Sequence, residues 1–417
     1  MSWRTLTVQK AIVLINGAAA ACVVAACGGG GNGGGAAPVN VVAATVDSGP
    51  AAAPGSVDVL FVSVTICAPG TAFCQTIDHV QVDTGSTGFR VLGEVLGAGV
   101  TSGQLQQVTD GSGNPVVECV QFADGYSWGP IKLVDLTIGG MKAASVPIQV
   151  IGDPAYASRT IPSACSSFVN VPENSLAQFG ANAILGVGNF LEDCGSSCAS
   201  GAQDGSAYNV CPPAMAPACQ PATMDLTAQV RNPVAMFSSD NNGVLIQLPS
   251  VAPPGAIAAT GSLVFGVDTA SNNGLGRATA YGLDSAGNLG TTVTGLQAFS
   301  SAFIDSGSNG YFFNDPGLQP CSGNSSFYCP PGPTSFSATI TGTNGATAAI
   351  AFTVDNAVSD LGTNAAALPN LAGSTGTGLA GDTFDWGLPF FYGRSVYVVF
   401  EGKTALGSRL VGPYVAF

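Results

Sequence analysis

His79-Val80-Gln81-Val82-Asp83-Thr84-Gly85-Ser86-Thr87-Gly88-Phe89-Arg90-Val91 is a hydrophobic strand that breaks at an Asp-Thr-Gly-Ser turn and resumes as apolar chain. Far downstream the order recurs: Ala302-Phe303-Ile304 runs into Asp305-Ser306-Gly307-Ser308-Asn309-Gly310 and leaves through Tyr311-Phe312-Phe313. In each copy the glycine permits backbone angles closed to other residues, and the flanking hydroxyls can bond nearby main chain. A carboxylate on such a turn is held rigidly. Two copies in one chain suggest one shared centre. If the turns met across a pseudo-twofold axis, repulsion would leave the pair of acids holding a single proton over a wide pH range. One acid can then draw a proton from a water while the other protonates or hydrogen-bonds a carbonyl under attack.

The chain is long enough, at 417 residues, to bury a large core in two domains. Only 9% of it is charged, while 57 glycines accompany a 46% hydrophobic content. Long amphipathic helices would need more Lys, Glu and Arg, so the composition predicts a compact, mainly β protein. A net charge of −14 argues against a nucleic-acid partner.

Met1 to Ala26 has a basic end (Arg4, Lys10), an apolar stretch from Ala11, and Val24-Ala25-Ala26-Cys27, with small residues before a cysteine. The apolar run is short for a bilayer span and is broken by Asn16-Gly17. The segment resembles a bacterial lipoprotein signal, which implies a lipid on Cys27, export, and a membrane anchor. Gly28 rather than Asp after Cys27 favours, by the same resemblance, the outer membrane, facing the periplasm or the exterior. Cleavage before Cys22 and a plain signal peptide are the alternatives.

Ten further cysteines remain, an even number that reads as disulfides in an exported chain. Nearest-neighbour pairing joins Cys67 to Cys74, Cys194 to Cys198, Cys211 to Cys219 and Cys321 to Cys329, leaving Cys119 with Cys165. The Cys194/Cys198 spacing also admits zinc, but His79 is the only histidine and an oxidising compartment favours the disulfide; no metal or cofactor is expected.

Residues 28–56 are rich in Gly, Ala and Pro and read as a flexible tether. Residues 57–248 then form a first β lobe with the first acidic turn, and residues 249–417 a second lobe with the second. Phe122-Ala123-Asp124-Gly125-Tyr126-Ser127-Trp128-Gly129, inside a hairpin from Val116 to Gly140, is aromatic and Gly-punctuated like a mobile lid. Ala181 to Gly188 is a second apolar run ending on glycines, and Glu192 to Ala222 reads as a stapled surface excursion. Met224 to Val230 is a helical candidate, and Thr343-Asn344-Gly345 is a hairpin turn.

From about Val57 to Phe417 this order resembles a pepsin-like aspartic peptidase. Four features carry the likeness: the two Asp-Thr/Ser-Gly-Ser turns, the hairpin from Phe122 to Gly140, the hydrophobic-glycine segments Ile184-Leu185-Gly186 and Trp386-Gly387, and the closing strand Arg394 to Phe400. The resemblance implies a bilobal fold with Asp83 and Asp305 as the catalytic pair. Thr84 and Ser306 would tie the turns together, Ser86 and Ser308 would support the carboxylates, and Gly85 and Gly307 would let the loops approach. Phe122 would stand where the family carries a flap tyrosine, with Asp124 and Gly125 beside it. That substitution, Asn309 in place of a small hydroxyl residue, and the insertion after Phe190 are departures. With the export signal they also resemble an uncharacterised family of bacterial lipoproteins.

The implied activity is a monomeric cell-envelope endopeptidase acting on peptide or unfolded protein. Cleavage between apolar side chains is expected, with Tyr311-Phe312-Phe313 lining the groove. The rival is a catalytically inactive lipoprotein that holds peptide or another envelope ligand in the same cleft. A serine or cysteine hydrolase would have to rest on His79, which lies beside an apolar strand.

Overall fold

The computed structural model describes residues 39–375 and 381–417, without the side chains of residues 324 and 325. Among the described residues the strands gather into a 16-stranded sheet and a nine-stranded sheet. The larger sheet takes the strands of the first half and reaches across to Gly243–Gln247, Ala259–Phe265, Ser395–Val399 and Tyr414–Ala416. The smaller is built from Leu289–Val293 to Thr383–Trp386 and includes the strand Ala298–Ile304, which carries the second turn. The result is a mainly β architecture of two sheets, each carrying one acidic turn, with the closing strands of the chain joined to the sheet of the first half.

Alternation explains the strands. In Leu60–Cys67 and Met141–Ile151, Val, Ile and Ala at alternate positions face the core. Thr334–Thr341 and Thr347–Val354 form the expected hairpin in full register, from Thr334 opposite Val354 to Thr341 opposite Thr347. The cores of the halves differ in texture. Aliphatic side chains such as Val82, Leu185 and Val187 fill the first, whereas Phe313 stacks on Phe384 at 4.9 Å in the second, with Trp386 4.3 Å from Phe384.

Three expectations about the chain are corrected. The span read as a tether contains the strand Val41–Val46, paired antiparallel with Ala259–Phe265 from Val41/Val264 to Val46/Ala259. Its Ala44 and Val46 are fully buried, so Val-Val-Ala-Ala-Thr-Val carried a strand signal that averaging over the glycines concealed. Met224 to Val230 yields only a short 3-10 turn at Leu226–Ala228. Glu192 to Ala222 is more than a surface excursion. Its strand Tyr208–Val210 pairs with Val116–Gln121 and buries Tyr208, Asn209 and Val210.

Among the described residues there are five disulfides, Cys67–Cys74, Cys119–Cys165, Cys194–Cys198, Cys211–Cys219 and Cys321–Cys329, the pairing expected from neighbour spacing. Cys27 and the leader lie outside the described residues.

Candidate active site

Each acid sits where a strand ends. Asp83 closes Cys74–Asp83, and Asp305 follows Ala298–Ile304; both are fully buried. Behind each runs a parallel strand in equivalent register. Val82 lies opposite Leu185 and Asp83 opposite Gly186, while Phe303 lies opposite Asp385 and Ile304 opposite Trp386. Gly186 and Gly387 are required there, because a Cβ on either would press into the turn it supports, 2.7 Å from the Thr87 nitrogen or from the Ser308 carbonyl oxygen.

The turns interlock. The Thr84 hydroxyl donates to the Ile304 carbonyl at 3.0 Å and accepts from the Ser306 amide at 2.9 Å. The Ser306 hydroxyl reciprocates, donating to the Val82 carbonyl at 2.9 Å and accepting from the Thr84 amide at 3.2 Å. Gln81 adds a bond from its side-chain amide to the Gly307 carbonyl at 2.9 Å.

Within this frame the carboxyls converge. Asp83 accepts from the amides of Gly85 at 2.7 Å and Ser86 at 3.2 Å, and from the Ser86 hydroxyl. Asp305 accepts from the Gly307 amide at 2.7 Å and the Ser308 hydroxyl at 3.1 Å. The Gly85 amide also reaches the inner oxygen of Asp305 at 3.1 Å, so one N–H bridges both acids. A Cβ on Gly85 would stand 2.6 Å from the Asp305 carboxyl carbon, and one on Gly307 would stand 2.6 Å from that of Asp83. Burial first, then the neighbouring Asp83 and Asp385, push the Asp305 carboxyl well above the ordinary range. All eight residues expected on the two turns are therefore at one centre.

A cleft of about 650 Å³ opens against the first turn, with Phe168, Phe190 and Phe303 giving apolar wall. Tyr311, Phe312 and Phe313 do not line it. They are buried in the second core, because that strand lies between Thr383–Trp386 and Ala372–Gly373. The hairpin also differs from expectation. Phe122 is 1% exposed, and the cleft is lined from that hairpin by Glu118 to Gln121 rather than by Phe122, Asp124 or Gly125. The hairpin is fastened as well. Cys119 is bonded to Cys165, Gln121 donates to the Ala164 carbonyl at 2.7 Å, and Tyr208–Val210 occupies its outer edge.

The sequence reading did not single out the charged cluster in the cleft wall. Arg90, 1% exposed, donates to Glu118 and Asp193 at 2.8 Å each, and Asp193 accepts from the Tyr208 hydroxyl at 2.7 Å. Burial opposes the Arg90 cation, but Glu118 and Asp193 raise its pKa overall, so it stays charged. One buried cation faces the buried Glu118 and the partly exposed Asp193, and burial raises Glu118 well above the usual range. A lone arginine in the apolar run Gly88-Phe89-Arg90-Val91 was the available signal, since a charge in a buried strand requires a partner. His79 lies apart from the acids, beside Asp78 and Asp47.

Residues 36–417 match the model of the family described as "Protein of unknown function (DUF3443)", and the chain belongs to that family. No curated protein matches it. Among solved structures, an aspartic proteinase from Irpex lacteus is similar at 15% sequence identity and a TM-score of 0.47, over 90% of this chain and 96% of that one.

Proposed function

We propose that this DUF3443 chain is an aspartic-type endopeptidase that hydrolyses peptide bonds with a water activated between Asp83 and Asp305. The observation that carries the reading is the Gly85 amide, which donates to both carboxyl groups and so sets them close enough to share a proton. Asp305 holds that proton, because burial and the adjacent acids favour its neutral form. An unprotonated oxygen of the pair accepts a proton from the attacking water, while the Asp305 proton goes to the carbonyl oxygen. The four bonds through Thr84 and Ser306 hold the geometry while the proton moves.

The test is cleavage of an unfolded protein from acidic to neutral pH. Asp83→Asn and Asp305→Asn should each lower kcat/KM by about 10³-fold or more, with the far-ultraviolet spectrum unchanged. Activity that survives in both variants removes the acid pair from the explanation.

The fastened hairpin favours a second reading, a ligand-binding protein in which the cleft holds peptide without cutting it. Wild-type protein that binds an unfolded chain and leaves it intact selects that reading. In either case we propose an exported protein, lipid-anchored through Cys27 in the cell envelope; the five disulfides support an oxidising compartment.

A further inference from the structure

Apolar side chains stand in water at the end of the molecule where the described chain begins. Leu406 is 94% exposed and Val411 62% exposed, both on the loop from Glu401 to Gly412, and Val39 is 63% exposed at the entry to the fold. These are three of the nine large apolar side chains that the described residues expose, so the exposed apolar surface gathers here. The loop is braced. Thr404 pairs with Val411, the Gly402 amide donates to the Gly412 carbonyl at 3.0 Å, and Ala405 is buried beneath. Asp268 clamps it to the segment that follows Ala259–Phe265, accepting from the Gly407 amide at 2.6 Å and the Leu275 amide at 2.8 Å. The Asn242 side chain spans the same two segments, donating to the Thr404 carbonyl at 2.9 Å and the Val267 carbonyl at 2.8 Å. Asn40 is fixed to that strand end, its side chain donating to the Phe265 carbonyl at 3.0 Å. Leu406 is therefore held out at the end of the sheet where residues 39 and 40 lead in.

Charge narrows the occupant. The chain has 11 Lys and Arg, and with Arg4 and Lys10 set aside nine remain; three of these, Arg277, Lys403 and Arg409, lie on the two clamped segments. Arg277 and Arg409 are exposed. The acids at this end are engaged: Asp268 by the two amides above, Asp240 by the Thr269 hydroxyl, and Glu401 by the Leu191 amide at 2.9 Å. Bases set around exposed aliphatic side chains match an anionic bilayer surface, where the aliphatic groups enter the interface and the bases meet phosphate. We propose that the loop from Glu401 to Gly412 rests in the headgroup region of an anionic phospholipid bilayer, with Leu406 and Val411 inserted. The inference deepens the anchoring reading above and rests on it for the presence of a bilayer, because a chain leading from Cys27 would arrive at this same end through Val39 and Asn40. Its consequence is orientation. The Glu401 amide donates to the Asn189 carbonyl at 2.8 Å, and Asn189 and Phe190 line the cleft, so a docked loop sets how far the cleft stands from the lipid.

The test introduces tryptophan into the full chain and follows its emission with vesicles of phosphatidylglycerol and phosphatidylcholine whose acyl chains are brominated near the headgroups. The Leu406→Trp spectrum minus that of the wild type should show a blue-shifted band that the bromines quench. Ile257→Trp is the control: Ile257 is 78% exposed and lies just before the opposite end of Ala259–Phe265, so its band should neither shift nor be quenched. Lys403→Gln combined with Arg409→Gln should weaken vesicle binding about 20-fold, from about fivefold per base, and added salt should weaken that of the wild type.

An unquenched Leu406→Trp band in vesicle-bound chain overturns the proposal. Equal quenching at both positions also overturns it, because adsorption then has no preferred face. A blue shift of the Leu406→Trp band in concentrated protein without vesicles overturns it as well and assigns the patch to a second copy of the chain. The acyl group on Cys27 is read separately, from the mass of the purified protein. Acylated chain with an unquenched band loses the loop contact and keeps the anchor, and unacylated chain with a quenched band loses the anchor and keeps the loop contact.

Discussion

Set side by side, the run from Asp83 to Val91 and the run from Asp305 to Phe313 share an acid, a hydroxyl, a glycine and a serine in the same places, and differ in what the exit strand carries. Arg90 of the first corresponds to Phe312 of the second. The first is tied into a buried charged cluster, and the second packs beside Phe327 at 6.0 Å in an apolar one. On the strand behind each turn the difference is reversed: Ile184 packs into an apolar cluster, and its equivalent Asp385 is a buried acid. A duplicated frame with one ionisable side chain added to each half, at different positions, stays symmetric in backbone while the surroundings of its two acids differ.

The largest effect that would break this contrast is at Arg90. Arg90→Met leaves the buried Glu118 without a cation and Asp193 without its partner, and should cost about 3–5 kcal/mol in denaturant unfolding, a loss that shrinks in acid as Glu118 takes up a proton. A variant as stable as wild type near neutral pH would mean that the cluster is solvated. The next effect concerns the hairpin, which is fastened in the first half by Cys119–Cys165 across 46 residues. Replacing both cysteines with serine should cost about 2–4 kcal/mol and speed amide exchange from Val116 to Tyr126. Exchange confined to other regions would show that Tyr208–Val210 alone holds the hairpin. The smallest effect tests what the halves share. Thr84→Val and Ser306→Ala should each cost about 1–2 kcal/mol, and the double variant less than their sum, because each residue is the other's partner.

The shared frame was legible because it is local: a strand, an acid, a glycine and hydroxyls within nine residues state their own geometry. The disulfides were legible for a similar reason, since four of the five close short loops. What the sequence concealed depends on distant pairing. Arg90 finds Glu118 28 residues away and Asp193 103 away, and no period in the chain announces either. Phe122 looked like the tip of a free lid because the fastening comes from Cys165 and Tyr208–Val210, outside the hairpin. Tyr311-Phe312-Phe313 looked like groove lining because its aromatic content is the same whether it faces solvent or strands on both sides. Asp385 was written plainly between Phe384 and Trp386, where an acid among aromatics is out of place.

The strand Val41–Val46 has a consequence for where the molecule can work. Only thirteen residues, Gly28 to Asn40, separate Cys27 from it. At about 3.5 Å per residue, an acyl group on Cys27 would moor the folded body within about 45 Å of the bilayer. Proteins emerging from or lying along that surface would then be within its radius, and chains free in the bulk would have to come to it.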